Sequence, residues 1–321
     1  MTILEQIEKG ILVSPISKKR LNICENGQWL TTRDQSEKYF ILNNEVPVFL
    51  ENPLWAEEYV KSSQKMVKEY SPDYHFQAVS GWQKTKNKLL RIRKTERYTI
   101  AENNFFDCLK KDAICLSIGG GPSRPNDKLT NLNIGPFPNV DIVADAHHLP
   151  YADESVDAIY CIAVLEHLSE PVTAIREMFR VLKKGGKILV DTPFLQGYHG
   201  YPHHYQNFTL TGQKHIFEAN NFVIIDSGVS VGPTYTMSGL SLLFVRSYMP
   251  TFISWPLCKM MNLAWSIVLL FDKCVASQED AHILASGTFI VAEKRNLGFL
   301  SLGKCAKPQS QAETKLNDLA R

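Results

Sequence analysis

Four histidines of this sequence stand where they could receive a proton from a substrate. His167 follows a glutamate in the segment LEHL, and His199, His203 and His204 lie in GYHGYPHHYQNF. An imidazole changes charge near neutral pH. Each histidine is therefore a candidate base that removes the proton of a substrate hydroxyl, or a group that positions the substrate. Each could instead serve only as a hydrogen-bonding group within its loop.

Three glycines, Gly119 to Gly121, follow directly on the apolar run AICLSI. Glycine lets the backbone approach a ligand closely, and a strand that ends in such a loop is typical of a nucleotide-type cofactor site. Pro122 and Pro125 follow, whereas the nicotinamide fingerprint needs a third spaced glycine and a helix that begins in the loop. The loop therefore predicts a cofactor site and argues against a nicotinamide oxidoreductase.

Neither the histidines nor the cysteines have the spacing of a metal motif. His147-His148 and His203-His204 are adjacent pairs, and neighbouring side chains diverge on a helix or a strand. The seven cysteines are scattered and form no C-x-x-C pair, which argues against a disulfide framework and a cysteine-built zinc site. We therefore expect no metal, and a chain suited to a reducing compartment.

The elements that must position these residues alternate along the chain. From residue 113 onward, short and nearly continuous apolar runs predict strands buried on both faces of a parallel α/β sheet. The segment EPVTAIREMFRVLKKGG predicts a helix with a proline near its start, lysines in its last turn and a Gly-Gly stop. Ligands bind beyond the carboxyl ends of such strands, where the glycine loop, Asp145 and the Glu166-His167 pair fall.

The bulk composition excludes few classes of function. The chain has 321 residues, of which 44% are hydrophobic, and a formal net charge of +2. This small charge predicts no overall electrostatic attraction for a polyanion. The N-terminus has no long apolar core, which argues against a secretory signal. A basic helix predicted at 83–97 is more typical of a solvated face than of a nucleic-acid patch.

The ordered set of motifs resembles the class I S-adenosylmethionine-dependent methyltransferases, in particular the bacterial methyltransferase-11-like subgroup. The resemblance is carried by LSIGGGP, DIVADAHHLPYADESVDAIYCIAVLEHL and EPVTAIREMFRVLKKGGKILVDTPF, and it covers about residues 113–229 and 286–293. It implies a Rossmann-like, seven-stranded α/β sheet, mostly parallel with an antiparallel last strand. It also implies S-adenosyl-L-methionine as the cofactor.

The same resemblance implies the roles of individual residues. The glycine loop would pass beneath the methionine part of the cofactor, and Asp145 would meet the adenine amino group. Leu165, Glu166 and His167 would line the cleft near the sulfonium and the substrate. The implied cofactor-binding set is Ser117, Gly119, Gly120, Gly121, Asn133, Asp145, Ala146, Leu165 and Glu166.

Two of these positions depart from the family pattern. Ser117 stands where family loops usually open with an acid, and Asn133 stands where an acid usually grips the ribose hydroxyls. An asparagine can still bond a hydroxyl, but it lacks the charge assistance that about doubles the strength of such a bond. A degenerate fold that serves as a non-catalytic binding or scaffold protein is therefore an alternative.

Residues 1–52 predict a small β-rich module. Its segments GILVSPISKKRL and YFILNNEVPVFL resemble the two ends of the small zinc-ribbon family of methyltransferase-activator proteins, with Ser14 and Ser17 at the cysteine positions. The resemblance implies a metal-free docking or cleft-covering module. We predict a helical linker or cap at 53–112, the methyltransferase domain at 113–294 and a flexible tail at 295–321.

An apolar insertion at 230–285 is predicted to be helical. Arg246, Pro250, Pro256 and Lys259 interrupt its apolar run, and the longest clean piece, MMNLAWSIVLLF, would extend only about 18 Å as a helix. That length argues against a membrane span. Three interpretations of the insertion remain. It packs over the sheet, it forms a homodimer contact, or its residues 240–272 contact a membrane surface.

The predicted function is S-adenosylmethionine-dependent methylation, most simply O-methylation, of a small molecule or of a glycan such as a lipid-linked sugar. The segment HGYPHHYQNFT resembles the substrate side of a subgroup that often accompanies cell-surface polysaccharide biosynthesis. We expect a cytoplasmic protein, peripheral at the inner membrane face. An RNA methyltransferase is an alternative supported only by the basic helix, so nucleic acid is not the expected partner.

Overall fold

The computed structural model describes residues 1–24, 27–42, 45–50, 94–121, 124–137, 139–199 and 203–295. Two predictions lie wholly or largely outside these residues. They are the basic helix at 83–97, up to residue 93, and the tail beyond Arg295. The predicted linker at 53–112 is described only from residue 94.

Within the described residues, one sheet of eleven strands organises the fold, in the order β1-β2-β3-β4-β7-β6-β5-β8-β9-β11-β10. Strands β7, β6, β5, β8 and β9 run parallel, whereas β11 is antiparallel to both β9 and β10. This arrangement confirms the predicted seven-stranded α/β sheet with an antiparallel last strand. The strands are β1 (Leu21–Ile23), β2 (Trp29–Thr32), β3 (Lys38–Leu42), β4 (Val46–Val48), β5 (Cys115–Ile118), β6 (Leu129–Asn133), β7 (Ile142–Val143), β8 (Val156–Ile162), β9 (Leu182–Pro193), β10 (Phe222–Val231) and β11 (Gly287–Lys294).

The N-terminal strands β1 to β4 form an antiparallel meander, as the β-rich composition of this region predicts. They extend the main sheet, because Val48 of β4 pairs in parallel with Val143 of β7. A bridge between Leu12 and Tyr151 adds a second connection. The N-terminal region is therefore continuous with the methyltransferase-like sheet.

Hydrogen bonds hold the turn that carries Ser14 and Ser17. The buried Ser14 hydroxyl accepts the backbone N–H groups of Ile16 and Ser17 at 3.1 and 3.0 Å. It also bonds the Tyr39 hydroxyl at 3.1 Å and donates to the Glu37 carboxylate. A polar side-chain network thus ties this turn to β3, while the zinc-ribbon resemblance itself stays a prediction.

The helices of the described chain are α1 (Ile3–Glu8), α2 (Glu96–Asp107), α3 (Pro171–Val181), α4 (Leu210–Glu218), α5 (Pro233–Tyr248), α6 (Thr251–Val268) and α7 (Asp272–Ala276). Helix α3 begins at its proline, as predicted. The placement of lysines in its last turn is wrong, because the helix ends at Val181 and the backbone of Leu182 is already extended. Lys183 and Lys184 therefore lie at the start of β9.

The core has a layer on each face of the sheet. Leu116 and Ile118 of β5 pack in the larger cluster, together with Ile175 and Met178 of α3. Their neighbour Cys115 points to the opposite face, into the cluster that α2 closes with Tyr98 and Phe105. This alternation is why β5 reads as a continuous apolar run: both of its faces are covered.

The insertion between β10 and β11 is helical, as predicted, and consists mainly of α5 and α6, which we call the apolar hairpin. Pro256 does not interrupt it, because α6 continues through this residue. One helical stretch of the described chain, Thr251–Ala276, is long and apolar enough to cross a membrane by length and composition alone. Its most apolar window is only 11% buried.

Candidate active site

The residues with chemical potential meet at one edge of the sheet, because parallel strands end on the same side. Gly119 follows β5, Asp145 follows β7, and Glu166 lies in a 3-10 turn (Leu165–His167) after β8. Thr192 lies at the carboxyl end of β9. The sequence order of the motifs therefore becomes a single surface.

The glycine loop is pressed against its neighbours. Gly119 has a φ of +73°, and a Cβ placed there would lie 2.2 Å from Cγ2 of Val164. A Cβ on Gly120 would lie 2.5 Å from Oδ1 of Asn131. Glycine is required at the first position both for its backbone conformation and for lack of space. Because the three glycines have no side chains, the loop backbone is accessible to a ligand.

Asn131 is a residue that the sequence motifs did not single out. Its side-chain amide donates to the carbonyl oxygens of Gly121 at 3.0 Å and Asn139 at 2.9 Å. It lies in β6, and its backbone N–H donates to Asp141 at 2.7 Å. Asn131 therefore clamps the end of the glycine loop to the neighbouring strand. The sequence signal for it is weak, namely two asparagines within the strand segment LTNLN.

The two positions that depart from the family pattern have different surroundings. Ser117 is buried, and its hydroxyl has no hydrogen-bond partner within the described part of the chain. The side-chain oxygen of Asn133 accepts the N–H of Gly135 at 3.1 Å. Ser117 thus leaves an unsatisfied hydroxyl beside the loop. A buried polar group of this kind normally has a hydrogen-bond partner, which a ligand or a water can supply.

Asp145 is an anionic acceptor that remains open to a ligand. Its Oδ1 accepts both the N–H and the ring Nδ1–H of His147, at 2.9 and 2.6 Å, and its side chain is 42% exposed. Burial raises the pKa of Asp145, but the bonds from His147 outweigh burial and the net shift is downward. The neighbouring Ala146 is buried in the main core, as is the side chain of Leu165. At these two positions, only the backbone is available to a ligand.

Three of the four candidate histidines gather around Glu166. Oε1 of Glu166 lies 3.7 Å from Nε2 of His167 and 3.9 Å from Nε2 of His199. The rings of His199 and His204 are 4.3 Å apart. The facing carboxylate of Glu166 raises the pKa of His199 above its ordinary value. We call Glu166, His167 and His199 the Glu-His cluster.

His203 and Asn207 support this cluster from outside. The ring of His203 packs on Tyr205, while its backbone oxygen accepts Nδ1–H of His167 at 2.6 Å. Nε2 of His204 lies 2.6 Å from Oδ1 of Asn207. Asn207 lies in the histidine-rich segment GYHGYPHHYQNF, but the sequence did not single it out as a supporting residue.

The apolar hairpin packs against the loop that carries His199. A Cβ on Gly197 would lie 2.2 Å from Cδ2 of Leu243 in α5. Gln196 donates at 3.1 Å to the carbonyl oxygen of Ser286, which directly precedes β11. The hairpin therefore borders the Glu-His cluster at the edge where the strands end.

The strand order β7-β6-β5-β8-β9-β11-β10 defines a doubly wound, Rossmann-like sheet. Residues 122–190 match the family model described as "Methyltransferase domain". The match begins directly after the glycine loop and spans Asp145, the Glu166-His167 pair and most of β9. It confirms the prediction of a methyltransferase domain and supports S-adenosylmethionine as its cofactor.

Individual proteins are similar over stretches that cover a minor part of the chain. A tRNA U34 carboxymethyltransferase of Sulfurimonas denitrificans is 33% identical over 92 residues, which are 28% of this chain and 31% of that protein. A ubiquinone/menaquinone biosynthesis C-methyltransferase of Haemophilus ducreyi is 42% identical over 65 residues, 20% of this chain and 24% of that protein. The chain thus spans less than a third of the length of these relatives.

Among solved structures, a Haemonchus contortus phosphoethanolamine N-methyltransferase 2 in complex with S-adenosyl-L-methionine is similar with a TM-score of 0.42 and 15% identity. The similarity covers 78% of this chain and 62% of that one.

Proposed function

We propose that this chain is an S-adenosylmethionine-dependent methyltransferase that methylates a hydroxyl oxygen of a lipid-linked glycan at a membrane surface. The observation that carries the proposal is the contact of the apolar hairpin, through Leu243, with the loop of His199. This contact puts an exposed apolar surface beside polar groups suited to a hydroxyl. We place the protein in the cytoplasm, peripheral at the inner membrane face.

The cofactor side of the site fits S-adenosylmethionine. Gly119 to Gly121 present bare backbone, and the unpartnered Ser117 hydroxyl lies beside them as a hydrogen-bonding group. Asp145 is charged and half open, so it can accept the hydrogen bonds of an amine. When bound, the cofactor supplies an activated methyl group on its sulfonium. The chain's task is to hold the glycine loop, which Asn131 does, and to present the acceptor oxygen.

The Glu-His cluster suits the acceptor side. It follows the fourth strand of the methyltransferase domain, β8, next to the loop that holds the cofactor in our proposal. His167 and His199 present ring nitrogens that can bind a hydroxyl, and His199 is 41% exposed to an incoming molecule. Polar groups at the reacting centre and apolar surface beside it match an acceptor with a sugar head and a lipid tail.

The apolar hairpin is suited to an anionic bilayer surface. Its exposed side chains on α6 run from Trp255 round to Val268, about 220° of the helix circumference. No acidic residue occurs between 227 and 271, whereas Arg246 and Lys259 add positive charge. Nζ of Lys259 lies 3.5 Å from the ring centre of Trp255, a pair suited to the headgroup level.

The breadth of the exposed surface favours a bilayer over a second copy of the chain. A flat dimer contact covers one side of a helix, whereas a lipid interface accepts a helix exposed over more than half of its circumference. Sedimentation with phosphatidylglycerol vesicles tests this: pelleting with the vesicles supports the proposal. A dimer in sedimentation velocity with no vesicle binding overturns it.

The experiment for the activity uses tritium-labelled S-adenosylmethionine and total lipid extract dispersed in vesicles. Label in the organic phase, recovered as an O-methyl sugar after acid hydrolysis, is the expected result. Gly119→Val, which places carbon where Val164 already lies, is the matched inactive variant.

The similarity to a tRNA U34 carboxymethyltransferase makes tRNA the second candidate acceptor. Parallel reactions with bulk tRNA therefore accompany the lipid reactions. Label in tRNA alone overturns the glycan proposal and favours RNA. No binding of the cofactor at millimolar concentration overturns both proposals in favour of a non-catalytic scaffold.

A further inference from the structure

Glu166 is a buried carboxylate whose oxygens have no hydrogen bond within the described part of the chain. Its side chain has an exposed fraction of 0%, and neither carboxylate oxygen has a hydrogen-bond partner among the described residues. A buried charge is normally paired, hydrogen-bonded or bound to a metal. The groups that face Glu166 are the ring nitrogens Nε2 of His167 and His199, and both lie beyond hydrogen-bonding distance.

Backbone carbonyl oxygens fix the orientation of the His167 and His199 rings by accepting hydrogen bonds from Nδ1–H. Nδ1–H of His167 donates to the carbonyl oxygen of His203 at 2.6 Å, and Nδ1–H of His199 donates to that of Gly197 at 3.0 Å. In a neutral imidazole whose Nδ1 carries the proton, Nε2 is a bare electron pair. Two such nitrogens and one carboxylate oxygen lie within 4.8 Å of one another.

This arrangement is the one found around metal ions. A ligating histidine almost always donates its second N–H to a carbonyl or carboxylate, which fixes the ring and its tautomer. We propose that Glu166, His167 and His199 bind a divalent transition-metal ion. Two imidazoles and one carboxylate suit such ions better than Mg²⁺ or Ca²⁺, and three ligands leave positions open for an acceptor oxygen.

The distances are compatible with a site that tightens on binding. The three ligand atoms all lie within 4.8 Å of one another. Around an ion bonded at about 2.1 Å, ligand atoms lie about 3.0–3.4 Å apart, so the cluster must close by about 1 Å. His199 lies on a half-exposed loop and can make most of that movement.

His204 is excluded from the ligand set although its ring is near. Its Nδ1 accepts the backbone N–H of His199 at 3.2 Å, and its Nε2 is engaged by Asn207. His204 therefore supports the loop of His199. The expectation of no metal rested on adjacent histidine pairs, whereas these three ligands come from the ends of two different strands.

A metal here deepens the proposed function without depending on it. A divalent ion lowers the pKa of a bound hydroxyl and orients it, which is the task that O-methylation sets on the acceptor side. Metal binding requires neither the cofactor nor the acceptor. A chain that proves to be no methyltransferase would still bind the ion at this cluster.

The test is calorimetry of untagged, chelator-stripped protein with Co²⁺ and with Zn²⁺, and no cofactor present. One equivalent of Co²⁺ should bind and give visible absorption bands. His199→Ala and Glu166→Gln should each weaken binding at least 10- to 100-fold, the range seen even when a group behind a ligand is removed. Circular dichroism melting confirms that each variant is folded, and His199→Ala changes only a half-exposed side chain.

The matched control is His203→Ala, because it removes a neighbouring imidazole and keeps the backbone oxygen that orients His167. This variant should bind Co²⁺ like the wild type. No Co²⁺ or Zn²⁺ binding by the wild type overturns the proposal, and so does binding that survives in His199→Ala. An equal loss in His203→Ala also overturns it.

Discussion

Replacing Gly119 by alanine tests whether the cofactor loop depends on both the conformation and the space seen at this residue. Alanine in the left-handed region costs about 1–2 kcal/mol. Its Cβ would also lie 2.2 Å from Cγ2 of Val164, and crowding of this kind costs about 1–3 kcal/mol. We therefore expect Gly119→Ala to lower the free energy of unfolding by about 2–5 kcal/mol.

A double-mutant cycle separates these two contributions. Val164→Ala removes the atom that the new Cβ meets, so in that background Gly119→Ala should cost only the conformational part, about 1–2 kcal/mol. The coupling between the two sites, measured by urea unfolding, is then about 1–3 kcal/mol. Costs that add to within about 0.5 kcal/mol would refute the contact between the loop and Val164.

Gly239 provides a control of opposite sign. It lies inside α5, and a Cβ placed there meets no heavy atom within 4 Å. Gly239→Ala should therefore stabilise the chain by about 0.5–1 kcal/mol through helix propensity. Destabilisation at both glycines would show that the unfolding assay reports something other than the loop contact.

Three further predictions concern other parts of the molecule. Ser14→Ala leaves the N–H groups of the turn and the Tyr39 hydroxyl without their shared partner, so urea unfolding should show a loss of about 1–3 kcal/mol; a loss below about 0.5 kcal/mol would contradict the network. The pKa of Asp145 is lowered and that of His147 is raised. The contribution of Asp145 is therefore present above its ordinary value of 3.8 and is lost as pH falls, and that of His147 is full below 6.5 and is lost as pH rises. The stability difference between wild type and His147→Ala should thus be largest between these two values, and a flat profile would count against the pair. Lys259→Glu changes the charge by two units, at about 1 kcal/mol each, and should weaken binding to phosphatidylglycerol vesicles by about 30-fold. Lys214→Glu on α4 should leave this binding unchanged.

The sheet could be predicted because its sequence signals are local. The run FVIIDSGVSV coincides with β10, and the proline at the start of α3 marks the first helical residue. Burial on both faces of β5 explains why its apolar residues are continuous. The glycine loop and Asp145 fall at the carboxyl edge for the same reason, since strand direction alone decides their placement.

Long-range contacts could not be predicted in this way. The junction of β4 with β7 rests on one pairing, between Val48 and Val143, and neither short strand reveals its partner. Glu166 and His199 are brought together by packing of a loop against the end of β8, which no spacing rule describes. The prediction that the lysines after Val181 belong to the last turn of α3 is wrong, because a polar, glycine-rich sequence is equally compatible with the end of a helix and the start of a strand.

Titration of the chain with S-adenosylmethionine in a calorimeter tests directly whether the glycine loop forms a cofactor site. We expect saturable binding of one equivalent, retained in His199→Ala and lost in Gly119→Val. Absence of binding at millimolar cofactor, or equal binding by Gly119→Val, would contradict it.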